Sequence, residues 1–206
     1  MSARPLHFHG HDFAAFLFDM DGTLLDSSAV VERVWREWAQ RHGIDAGALA
    51  AVMHGVRAED LVRRFATDGM DIASEVDALF RAEMDDLAGV LPIAGINDFI
   101  ARLDPKRWAI VTSAPRELAL RRIEAVGLPV PAHLVAAEDV TRGKPDPEGF
   151  LKAADALGVV IGDCLVFEDS AAGLQAGRNA GARIVAIGGH VQAADALASL
   201  VDYAGL

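Results

Sequence analysis

The chain predicts an α/β protein: a parallel sheet flanked by helices, carrying an inserted all-helical segment. Three observations lead there. Apolar runs without polar interruption, at 13–18, 108–111, 164–167 and 184–187, have the length and purity of strands buried on both faces. Helical periodicities separate the later runs, and such alternation lays parallel strands side by side with helices across them. Between the first run and the second, by contrast, only helical patterns occur. The 206 residues suffice for a core with an insertion, and 52% hydrophobic against 24% charged residues is ordinary for a globular protein.

The polar start, Met1 to Gly10, reads as an exposed lead-in to the first strand. His7, His9 and His11 alternate as a metal-binding strip would, but nothing nearby supplies further ligands, so a solvated lead-in is the expectation. The run from Phe13 to Phe18 then enters Asp19-Met20-Asp21-Gly22-Thr23. On an extended segment residues i and i+2 share a side. Asp19 and Asp21 are therefore expected to point together beyond the strand's carboxyl end, with Met20 turned away and Gly22 permitting a sharp turn. Two crowded carboxylates repel, which requires either a cation between them or a proton on one.

Val30, Val31, Val34, Trp35 and Trp38 mark one face of a helix over 30–40, ended near Gly43. The two tryptophans belong to the core of the helical block. Further helices are expected over 46–53, 59–65 and 74–87, with Glu59–Arg63 and Asp60–Arg64 spaced for i,i+4 pairing. The connections near 25–28 and 88–93 are placed to hinge the block as a lid. After a helix over 96–103 come a strand at 108–111, a helix over 116–126 closed by Gly127, and a short strand at 133–137. A helix over 148–157 stops at Gly158. A strand at 164–167, a helix over 171–180 before Gly181, and a last core strand at 184–187 complete the alternation.

A formal net charge of −11 argues against nucleic acid as a partner. It leaves a small anionic substrate open, since a bound metal and local cations reverse the field in a cleft. One cysteine, Cys164, excludes an intrachain disulfide framework and fits a reducing cytosol. No signal peptide is apparent, and no apolar run approaches the about 20 residues that span a bilayer. A cytoplasmic monomer without a membrane partner is expected.

In open parallel sheets ligands bind at the carboxyl ends of strands. Thr112 and Ser113 follow the second run and offer a hydroxyl and a backbone N–H to a phosphate oxygen. Gly143-Lys144-Pro145-Asp146-Pro147 holds one lysine in a stiff loop, and Glu168-Asp169-Ser170 follows the strand at 164–167. Each stretch alone is also what an ordinary helix cap or rigid turn looks like. Together they supply oxygen ligands for a hard divalent cation, a hydroxyl and a lysine, which are the parts that phosphoryl transfer needs. A calcium loop at Asp19–Gly22 is excluded: the glycine falls too early, and no glutamate stands at the twelfth position.

These motifs, in this order, resemble the haloacid dehalogenase superfamily. The match is to its phosphatase branch, with a Rossmann-like core and a helical cap inserted after the first motif. It rests on Phe18-Asp19-Met20-Asp21-Gly22-Thr23, Val111-Thr112-Ser113, Gly143-Lys144-Pro145, and Phe167-Glu168-Asp169-Ser170 with Ala172-Gly173. The resemblance implies a core of 1–26 and 92–206 and a cap of 27–91. It implies Asp19 as the nucleophile that becomes an aspartyl-phosphate, and Asp21 as the acid and base. Gly22, Thr112, the Ser113 N–H and Lys144 would surround the phosphoryl group. Asp19, the Asp21 backbone carbonyl and Asp169 would bind Mg2+, with Glu168 as a direct or outer ligand.

Asp21 separates the chain from true dehalogenases, which lack a second aspartate. The segments 54–57 and 107–119 look most like phosphatases of small sugar and polyol phosphates, including the glycerol-3-phosphate and 2-deoxyglucose-6-phosphate enzymes. His54, Arg57 and Asp60 are candidates to reach the substrate's hydroxyls; the alternative is a solvated Arg57 and an Asp60 paired with Arg64. The competing reading is a β-phosphoglucomutase-like enzyme, whose arginine falls one residue later, where this chain has Ala58. A non-catalytic phospho-ligand-binding member would be expected to have lost Asp19, Asp21, Lys144 or Asp169, and all four are present.

Overall fold

A computed structural model of the chain describes residues 5–189, 191 and 193–206. The first four residues of the expected lead-in lie outside them. The remainder of that segment is not a plain lead-in. β1 (Leu6–Phe8) and β2 (His11–Phe13) form an antiparallel hairpin that buries Phe8 and Phe13, while His7 meets Asp12 at the exposed edge. The run expected as one strand from Phe13 to Phe18 is thus divided at Ala14 between β2 and β3 (Ala15–Phe18). The Arg107 guanidinium takes the freed carbonyls of Phe13 and Ala14, with 2.7 Å from Nε to Ala14 O.

β3 is central in a parallel sheet of β6 (Trp108–Val111), β7 (Leu134–Val135), β8 (Cys164–Glu168), β9 (Arg183–Ile187) and β10 (Ala198–Leu200). The order across the sheet is β10-β9-β8-β3-β6-β7. β9 is therefore not the last strand. β10, half-exposed at the edge, adds one more.

The alternation of side chains divides the core into two layers. Phe16, Phe18, Ile110, Leu165, Phe167, Val185 and Ile187 face one side. Ala15, Leu17, Ala109, Val111, Cys164, Val166, Ile184 and Ala186 face the other. The first layer is aromatic, with Phe18 stacked on Phe167 at 4.6 Å between ring centroids and Phe99 and Tyr203 packed beside them.

Helices α5 (Ile96–Ala101), α6 (Arg116–Ala125), α7 (Glu148–Ala156) and α8 (Ala171–Ala180) follow as the apolar periodicity predicts. The helical block holds α1 (Ser28–His42), α2 (Ala46–Ala50), α3 (Ala58–Phe65) and α4 (Ile72–Asp85). Trp35 and Trp38 are buried there. The block is entered and left through paired strands: β4 (Leu25–Asp26) lies antiparallel to β5 (Leu91–Pro92). Glu59 pairs with Arg63 as spaced, but Asp60 pairs with Arg57 at 2.8 Å instead of with Arg64. Among the described residues no helix is long and apolar enough to cross a membrane.

Phe167 is fully buried at the centre of the aromatic layer. Phe167→Ala is expected to lower the unfolding free energy by about 3–5 kcal/mol, read from urea denaturation monitored by circular dichroism.

Candidate active site

β3 and β8 end side by side, and the Asp19 N–H donates to Phe167 O at 2.9 Å, which anchors Asp19 at the sheet's carboxyl edge. Among the described residues, Asp19, Glu168 and Asp169 are buried with one carboxylate oxygen of each within 4.8 Å of the others. The Lys144 ammonium enters between them. It donates to Asp19 Oδ1 at 2.5 Å and to Glu168 Oε1 at 2.6 Å. The second oxygen of Glu168 accepts from the Ser170 N–H and hydroxyl, both at 2.9 Å, so Glu168 orients both Lys144 and Ser170, whose hydroxyl oxygen caps α8 by accepting from the Gly173 N–H at 3.0 Å.

Two glycines make this packing possible. A Cβ on Gly173 would lie 1.7 Å from Glu168 Oε1, and one on Gly22 would lie 2.0 Å from Asp169 Oδ2. Gly22 also has a φ of 86°, in the left-handed region.

The charges do not balance. Burial pushes the Asp19 carboxyl well above its ordinary range, with Glu168 and Asp169 adding to the effect and Lys144 opposing it. Burial, then the Glu168 charge, pushes Asp169 up to about 8. Burial also works against the Lys144 ammonium, but Asp19 and Glu168 outweigh it and hold the lysine charged. An excess of negative charge on hard oxygen donors, buried and convergent, fits a divalent cation such as Mg2+.

A cavity opens over this cluster, lined among others by Asp19, Asp21, Gly22, Thr112, Ser113 and Asp169. The i, i+2 pair thus faces one space, while Met20 is buried in the core. Thr112 Oγ1 accepts from the Ala114 N–H at 3.0 Å, and the Ser113 hydroxyl crosses to the helical block, donating to Gly55 O at 2.8 Å.

His54 lines the same cavity; Arg57 and Asp60 do not. Arg57 forks onto Asp60 at 2.8 and 3.1 Å and donates to Val140 O at 3.1 Å. It borders a smaller pocket beside Thr112, Ser113 and Lys144.

Sequence reasoning did not single out Glu83 and Arg122, nor the contact of Ser27 with Asp21. Asp21 Oδ1 accepts from the Ser27 hydroxyl at 2.6 Å and from Arg122 Nη1 at 2.9 Å. Arg122 Nη2 donates to Glu83 Oε2 at 2.6 Å, and the Trp35 indole donates to Glu83 Oε1 at 3.1 Å. One signal was available. Glu83 continues the apolar stripe Val76–Leu79/Phe80 on α4, and Arg122 continues Leu118/Ala119 on α6. A charge in register with an apolar face must find a partner inside.

The family model of haloacid dehalogenase-like hydrolases matches residues 13–181. The chain belongs to this family. It is 39% identical over 176 residues to hexitol phosphatase A of Escherichia coli, covering 84% of this chain and 82% of that one. It is 30% identical to glycerol-1-phosphate phosphohydrolase 2 of Saccharomyces cerevisiae, covering 84% and 74%. A hydrolase structure from Pseudomonas syringae superposes with a TM-score of 0.80 at 27% identity, covering 92% and 94%. The parallel sheet flanked by helices is thus the fold class expected from the sequence.

The raised Asp169 carboxyl carries a linkage consequence. Its ordinary value is 3.8, and in the folded, metal-free protein it titrates near 8. The folded state therefore holds the proton more tightly than the unfolded chain, and protonation favours folding. That contribution is complete below the ordinary value and is lost as pH rises through the folded one. The melting temperature in EDTA is expected to fall between about pH 5 and about pH 8, with Mg2+ restoring more at the upper end. A flat or rising profile in EDTA, by differential scanning fluorimetry, would contradict it.

Proposed function

We propose that the protein is a Mg2+-dependent phosphatase that hydrolyses a small sugar or polyol phosphate monoester through an aspartyl-phosphate on Asp19. The observation that carries the reading is the convergence of Asp19, Asp21, Thr112, Ser113 and Asp169 on one cavity, with Lys144 bonded to Asp19. The phosphatase activities in the names of the hexitol and glycerol-1-phosphate relatives support the same substrate class.

Asp19, Asp169 and the Asp21 carbonyl, with Glu168 beside them, would hold the ion. When bound, it neutralises charge on the phosphoryl oxygens. Asp19 attacks phosphorus, and its new O–P bond replaces the bond to the alcohol. Asp21 gives its proton to the departing oxygen, then takes one from the water that hydrolyses the aspartyl-phosphate, releasing inorganic phosphate and regenerating Asp19. Ser27 and Arg122 both hold Asp21 Oδ1, so Oδ2 is the oxygen that carries the proton. Lys144, the Thr112 hydroxyl and the Ser113 N–H steady the transferring oxygens.

Residues 27–91 act as a cap over a core of 1–26 and 92–206, the paired β4 and β5 forming the hinge. A mutase has to grip a second phosphate. Arg57, engaged by Asp60 and Val140 O and away from the cavity, favours the hydrolase.

Asp19→Asn is expected to abolish phosphate release from a panel of sugar and polyol phosphates, and EDTA to do the same to the unaltered protein. Asp21→Asn is expected to slow release by about 10²–10⁴-fold. No release from any ester by the unaltered protein with Mg2+ would sink the reading. Interconversion of glucose 1-phosphate and glucose 6-phosphate, dependent on a bisphosphate primer, would replace it with the mutase.

A further inference from the structure

Two buried charged groups border the cavity beside the phosphoryl site, Arg122 reaching it through Asp21 and Glu83 only through Arg122. Glu83 on α4 and Arg122 on α6 both line the cavity, at only 8% and 2% exposure. The wall around them is apolar, with Val31, Val76, Leu79, Phe80 and Leu118. An ion pair in such a wall is costly to desolvate, and apolar side chains of similar volume usually pack there at least as favourably. Stability alone does not account for it.

The geometry of the pair is specific. Trp35 holds one Glu83 oxygen at 3.1 Å and Arg122 holds the other at 2.6 Å. A carboxylate offers about four lone-pair directions, so both oxygens retain capacity to accept. Arg122 then forks to Asp21 at 2.9 Å. A fixed acceptor on the helical block therefore stands one guanidinium away from the acid that serves the leaving oxygen.

We propose that Glu83, held by Trp35 and Arg122, is a specificity-determining residue that accepts a hydrogen bond from a hydroxyl of the leaving alcohol. The preferred substrate is accordingly a phosphate ester of a short alcohol with a hydroxyl near the ester carbon and apolar carbon faces, as in a small polyol or a deoxy sugar. This inference rests on the phosphatase reading above. A hydroxyl seated on Glu83 brings the ester oxygen towards Asp21, while the carbon faces pack on Val31, Val76 and Phe80. An alcohol without that hydroxyl leaves the acceptor unmatched, and one hydroxylated on every face strands polar groups against the apolar wall. Arg122 is a positioning residue: it aims Glu83 and Asp21 from one fork.

The test compares kcat/KM with Mg2+ for glycerol 1-phosphate and for propyl phosphate, which has the same carbon chain without the hydroxyls. The unaltered protein is expected to prefer the glycerol ester. Glu83→Met is expected to lower that preference at least about tenfold, mainly through KM. Because Glu83→Met leaves Arg122 short of a partner, the paired variant Glu83→Met/Arg122→Met, which removes both charges, is measured beside it and is expected to lose the preference equally. A smaller fall in the ratio in the folded variants overturns the inference, whether both activities survive or decline together. So does an unaltered protein with no preference between the two esters. Release from neither ester by an unaltered protein that hydrolyses other members of the sugar and polyol phosphate panel overturns this inference alone, and no release from the whole panel overturns the phosphatase reading with it. Release with an unchanged ratio overturns the role of Glu83 alone.

Discussion

The ammonium of Lys144, bonded to both Asp19 and Glu168, is the interaction on which the site depends. It joins the ends of β3 and β8 to a loop 125 residues from Asp19 and 24 residues from Glu168 in sequence. The carboxylates gathered around it exceed its charge, so the cluster is held together while still short of positive charge. That residual deficit turns a structural ion-pair network into a candidate metal centre. The packing leaves little slack, since Gly22 and Gly173 are in van der Waals contact with carboxylates where any Cβ would collide. The cluster's geometry is thus fixed by backbone as much as by side chains.

A second polar network runs the other way, from the sheet edge into the helical block. Asp21, Arg122, Glu83 and Trp35 follow one another by hydrogen bonds across three separate elements and a loop. The Ser113–Gly55 and Arg57–Val140 contacts add further links between block and sheet. In the proposed reaction the first network involves the groups that would meet phosphate. The second lies where the alcohol would be. Division of labour between a shared reaction end and a variable recognition end follows from where each network is rooted.

The strand-end motifs were legible in the sequence because each is local. An apolar run buried on both faces ends in a polar turn, and the parallel topology alone carries those turns to one edge. β10 and the β1–β2 hairpin were not legible. They are short and half-polar, and their pairing depends on partners that no local pattern reveals. The break at Ala14 was hidden for a related reason: the guanidinium that satisfies it belongs to Arg107, on the far side of the helical block in sequence. Asp60 was equally well spaced for Arg64, but Arg57 also reached Val140 O, and that bond to the sheet side favours the alternative pairing. Glu83 and Arg122 were not singled out; the available signal was a charge in apolar register, and naming each as the other's partner required the packing of α4 against α6.

The paired strands β4 and β5 have an architectural consequence. Leu25 lies opposite Pro92 and Asp26 opposite Leu91, so the chain enters and leaves the helical block at nearly the same point. The entropic cost of closing such an excursion rises only slowly with its length, by about 0.6 kcal/mol per doubling. The helices between them are in effect a cassette plugged into a two-pin socket. Such a cassette can be lengthened, shortened or exchanged without disturbing the register of a single core strand. On the proposed reaction, the alcohol end could then diversify while the reaction end stays as it is.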